Sequence, residues 1–105
     1  MNNVGKHAEV LLFQASLAEG HERMALLLEA KDAFIRAETA EKGCGAWRLA
    51  CISALENKQE LCKGWLERAQ ACETLPERSV VESDPWLKNV RNQKWFKRFL
   101  DQLPS

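Results

Sequence analysis

Apolar residues recur at helical spacing along most of the chain. Val10, Leu11, Leu12, Phe13, Ala15 and Leu17 predict a first helix between Ala8 and Ala18 that is apolar on more than one face, and Gly20 marks its end. Leu27, Ala30, Phe34 and Ala37, three and four apart, predict a second helix from Glu22 to Lys42. Gly43-Cys44-Gly45 is a sharp break suited to a helix C-cap and chain reversal. A third helix is predicted from Ala46 to Leu55, followed by a short turn at Glu56-Asn57-Lys58. In the fourth, Leu61, Cys62, Trp65, Leu66, Ala69 and Cys72 share one stripe. Thr74 to Ser83, with Pro76, reads as a linker. Asp84-Pro85 then reads as an N-cap followed by proline at the first helical position, opening a short helix to Arg91. Trp95, Phe96, Phe99, Leu100 and Leu103 form the stripe of a last helix.

Composition agrees with this pattern. Five Gly, three Pro and no Tyr in 105 residues leave too few turn-formers and β-formers for a sandwich or barrel. The expected fold class is all-α, in one domain over residues 1–105. Fifteen basic and fifteen acidic residues cancel, so no global field draws the chain to nucleic acid or an anionic membrane. Apolar runs such as Met24-Ala25-Leu26-Leu27-Leu28 are too short to span a bilayer, and residues 1–7 lack the features of a signal peptide. A cytoplasmic location with reduced thiols is expected.

Two segments repeat. Ala30-x-x-x-Phe34-x-x-Ala37 aligns with Cys62-x-x-x-Leu66-x-x-Ala69, and small residues flanking a large one let paired helices approach closely. Ahead of the second copy stand Trp47-x-Leu49-Ala50-Cys51-x-x-Ala54-Leu55 and Asn57-Lys58-x-Glu60-x-Cys62. This arrangement resembles the tetratricopeptide repeat, with Asn57 in the place of the turn glycine and Cys62 in that of the usual alanine. Asp84-Pro85-Trp86-Leu87-x-x-Val90-Arg91, followed by Phe96 and Leu100, is similar to the closing segment of many proteins of that family. The resemblance covers Gly45 to Leu100; Leu17-Ala18 and the turn from Glu19 to Arg23 depart from it. It implies two antiparallel helix hairpins of an α-solenoid, a divergent one over 6–43 and a second over 45–73. A capping segment over 84–103 would then cover the stripe of the fourth helix.

Candidate chemistry is sparse. The four cysteines are separated by six, ten and nine residues, whereas zinc sites use close pairs; Cys51, Cys62 and Cys72 fit helix-packing positions. His7 and His21 lie in no motif that would build a nucleophile and base, and His21 is expected in a turn. No catalytic residue, cofactor or metal site is assigned. Lys88, Arg91, Lys94, Lys97 and Arg98, interleaved with aromatics, present a nucleic-acid surface or simply the solvated back of a packed helix.

By the resemblance, Cys44, Trp47, Arg48, Cys51, Ala54 and Leu55 line a groove that binds a protein or peptide partner, with Trp47 as anchor; the alternative is that the terminal segment covers it. Arg48 alone lies near the place where a subgroup of the family grips chaperone C-termini, so that constellation is missing. Val10, Leu11, Leu12 and Phe13, extended by Leu17, spread round the first helix and suggest a homodimer, unless the terminal segment folds back over them. The expected function is a non-catalytic adaptor for protein–protein interaction. The alternatives are a small helical nucleic-acid-binding or regulatory protein using the basic terminal helix, and a minor enzyme subunit.

Overall fold

The computed structural model describes residues 3–104, with side chains from residue 6 onward, so the reading of residues 1–7 lies partly outside it. The fold is all-α: 74% of the described residues are helical, and no strand occurs among them. Helices α1 (Asn3–Leu17) and α2 (Gly20–Ala40) form one hairpin, and α3 (Ala46–Leu55) and α4 (Gln59–Ala71) a second. Helix α2 also packs on α3. Then come α5 (Arg78–Ser83), a 3₁₀ turn (Pro85–Leu87) that rests on α3, and α6 (Lys94–Asp101).

The six residues of the duplicated small–large–small pattern all point inward: Ala30, Phe34, Ala37, Cys62, Leu66 and Ala69 are at most 2% exposed. Asn57 adopts the left-handed conformation (φ 61°) that lets α3 stop. Its N–H donates to Ala54 O (3.0 Å) and that of Lys58 to Ser53 O (2.9 Å), satisfying carbonyls that the helix end leaves open. Helix α4 ends the same way at Glu73 (φ 59°), with N–H bonds from Glu73 to Gln70 O and from Thr74 to Ala69 O.

The structure departs from the sequence pattern at several boundaries: α1 begins at Asn3, ahead of Ala8, and α2 ends at Ala40, short of Lys42. Gly20, in the left-handed region (φ 60°), opens α2 instead of closing α1, which places His21 in the first turn of a helix. The stretch read as a linker contains α5, six residues too short to show a period, whose Val81 is fully buried against the C-terminal elements. The segment after Asp84 begins as expected, with the Asp84 carboxylate accepting the Trp86 N–H (2.8 Å), but it is a single 3₁₀ turn. Arg91 Nη2 reaches back to Asp84 O (2.7 Å) and curls the chain there.

Two core clusters meet at α3. Leu49 and Ile52 join Leu11 and Leu12 of α1 and Phe34 of α2. Cys51 and Ala54 join Cys62 and Leu66 of α4 together with Leu87, Val90, Phe96 and Phe99. Trp65 and Trp86 pack against both clusters, so the interior is continuous. The C-terminal segment lies on the second hairpin, and the Trp95 indole N–H donates to Gln59 Oε1 of α4 (2.9 Å).

Candidate functional site

Helix α3 is apolar nearly all round because it is sandwiched, and this decides the fate of the expected groove. Cys51 and Ala54 are fully buried in the cluster that holds Leu87 and Val90, and Asn89 Nδ2 donates to Ala54 O (3.1 Å). The expectation that these two face a partner is therefore corrected: the 3₁₀ turn of the same chain occupies their side of α3. Trp47, Arg48 and Leu55 remain half-buried, and Cys44, in the turn before α3, is exposed. Arg48 is a tie point. Its Nε donates to Glu9 Oε1 of α1 (3.0 Å), its Nη1 lies 3.5 Å from Asp84 Oδ2, and its guanidinium stands over the Trp47 ring at 5.9 Å. Burial works against its charge, but the Glu9 and Asp84 carboxylates help to outweigh that and hold it more firmly protonated.

The set expected to self-associate divides in two. Ala8, Leu11, Leu12 and Ala15 form the stripe that faces the core, so Leu11 and Leu12 are buried and are corrected out of the interface. Val10, Phe13 and Leu17 project from the opposite side, 54%, 57% and 75% exposed. Helix α2 repeats the arrangement, with Met24, Leu28 and Ile35 exposed opposite Ala30, Ala33, Phe34 and Ala37.

Glu38 was invisible as a special residue in the sequence. It is 6% exposed, and its carboxylate accepts the N–H of Gly43 (2.7 Å) and of Gly45 (2.9 Å) and a bond from Arg68 Nε of α4. Burial opposes ionisation, but the Arg68 bond and the two backbone N–H groups prevail and hold the carboxyl below its ordinary range. A Cβ on Gly43 (φ 93°) would stand 2.6 Å from Cys72 Cβ, and one on Gly45 2.2 Å from Phe34 O, so the turn closes only with glycine at both places. The Gly-Cys-Gly break was legible; its carboxylate partner looked like any acid in a charged helix.

All four cysteines are free. Burial pushes the thiol of Cys62 up to about 12 and raises that of Cys51 as well, so both stay protonated and inert. Cys72 is half-buried and Cys44 is exposed, the latter's thiol pushed up by a hydrogen bond with Glu41 and then by burial. His7 and His21 are exposed, and no group of three His, Cys, Asp or Glu among the described residues could hold a metal ion. On α6, Phe96, Phe99 and Leu100 turn inward while Lys94, Lys97 and Arg98 are exposed. No helix among the described residues is long and apolar enough to cross a membrane.

Comparison with protein-family models, curated proteins and solved structures finds no match to this chain.

Proposed function

We propose that the chain is a non-catalytic protein-interaction module of tetratricopeptide-like build, acting in the cytoplasm, whose partner surface is the outer face of α1 and whose first partner is a second copy of itself. The observation that carries this is the two-sidedness of α1: Leu11 and Leu12 complete the core, yet Val10, Phe13 and Leu17 still offer large apolar side chains to solvent. An exposed apolar face of this kind suits a two-fold contact, in which the same patch meets itself. The duplicated inward pattern and the left-handed Asn57 support the tetratricopeptide-like build, while the covered α3 moves the partner surface away from the expected groove.

Sedimentation equilibrium at micromolar concentration tests it. The native chain is expected to exceed its 12.0 kDa monomer mass and to dissociate on dilution. Phe13→Glu should return it to the monomer with its helicity intact, whereas Leu12→Glu should unfold it. A mass of 12.0 kDa throughout, together with a pull-down in which Phe13→Glu retains every partner of the native protein, would sink the assignment.

A second reading has one observation in its favour. Lys94, Lys97 and Arg98 are exposed and make no ion pair among the described residues, so α6 offers phosphates a cationic face. Binding by that face would weaken steeply with added salt; an apolar contact through α1 would not.

A further inference from the structure

The segment leaving α4 does not close flat against the molecule. Together with α5 and the C-terminal end it encloses a cleft of about 730 Å³, within the range of about 300–1,000 Å³ typical of ligand sites. Leu75, Pro76 and Leu103 supply apolar wall, and Glu73, Glu77 and Glu82 bring three carboxylates to the lining. None of those three side chains makes an ion pair or hydrogen bond among the described residues. Arg78, the one cation of the lining, is 3.6 Å from Asp101 Oδ1, outside the lining. Three carboxylates against one guanidinium leave a surplus of two negative charges here, on a chain whose net charge is zero.

We infer that this cleft is a binding site for a short peptide segment of a partner protein in which lysine or arginine alternates with large apolar residues. Charge complementarity selects the cation: an anionic ligand or nucleic-acid backbone meets uncompensated carboxylates and is repelled. The carboxylates do not converge tightly enough to hold a single metal ion, so they suit several cationic groups set along an extended chain. The apolar wall selects a peptide over a simple polyamine, which would leave Leu75, Pro76 and Leu103 uncovered. Resting on the interaction-module reading, the site deepens it with a second surface, because its lining comes from residues 70–82 and 103–104 and none of it from α1.

The test uses a fluorescein-labelled hexapeptide of alternating leucine and lysine, the same peptide with glutamate for lysine, and spermine. The leucine–lysine peptide should bind saturably, with amide shifts confined to residues 70–82 and 103–104. The Glu77→Gln, Glu82→Gln double variant removes two exposed carboxylates and should keep its fold by circular dichroism while losing about tenfold in affinity. Phe13→Glu should bind the peptide as the native protein does, so failure of the α1 interface and failure of the cleft are separable. Shifts mapping to α1, equal binding of the glutamate peptide, undiminished affinity in the double variant, or spermine binding as tightly as the peptide would each overturn it.

Discussion

Glu38 sits near the end of α2 with its carboxylate turned from water toward the Gly43 and Gly45 amides and the Arg68 guanidinium. Because folding lowers its pKa, the stability it contributes is fully present above its unfolded value of ~4.3. That stability is lost as the pH falls through the lowered folded value. The Arg68 side chain is 41% exposed, so solvent screening trims its share, and much of the gain rests on the two backbone bonds. Glu38→Gln keeps the shape and removes the charge. It should cost ~1.5–3 kcal/mol at pH 7, read by urea unfolding, and should flatten the loss of stability between pH 5 and pH 3. A variant as stable as the native chain, with the same acid slope, would show that the clasp contributes nothing.

Helix ends show how far local rules carry. Asn57 and Glu73 occupy equivalent left-handed positions after α3 and α4, with the same pair of closing hydrogen bonds. Asparagine tolerates that conformation; glutamate does so at a cost of roughly 1–2 kcal/mol, which glycine avoids in exchange for a smaller loss of backbone entropy. Glu73→Gly should therefore stabilise the protein by ~0.5–1 kcal/mol and raise Tm by about 2–8 °C in a calorimetric scan. An unchanged or lower Tm would mean that the Glu73 side chain contributes more than its backbone loses. Element by element, the four long helices were legible because their apolar residues recur over at least ten residues, more than two turns. Helix α5 was not, since six residues with Val80 exposed and Val81 buried carry no period, and only packing against α6 and the 3₁₀ turn makes them a helix.

Across the whole molecule, burial sorts the thiols in a way that spacing does not. Cys51 and Cys62 lie inside the cluster shared by α3, α4 and the C-terminal segment; Cys72 is half-buried and Cys44 exposed. With a thiol reagent at pH 8, Cys44 should label in the native protein and Cys72 more slowly. Cys51 and Cys62 should label only after unfolding, as peptide mass spectrometry would show. Labelling of Cys51 in the native state would mean that the C-terminal segment lifts from α3, reopening the side of that helix where the partner groove was expected.

By itself the sequence determined the helical class, the glycine and asparagine turns, the cap at Asp84 and the inward direction of both small–large–small triplets. Each of these is signalled by residues within about four positions of one another, where backbone geometry and side-chain spacing act directly, although Cys72 and Phe34 are what require glycine at Gly43 and Gly45. Tertiary structure alone decided which stripe of α1 is core, because Leu12 and Phe13 are equally apolar and only docking on α2 distinguishes them. It also decided that Glu38 would find Arg68, thirty residues away, and that the chain's own 3₁₀ turn would cover Cys51 and Ala54. The physical reason is common to all three: burial is conferred by partners remote in sequence, and a helical period reports an apolar face without naming what will lie against it.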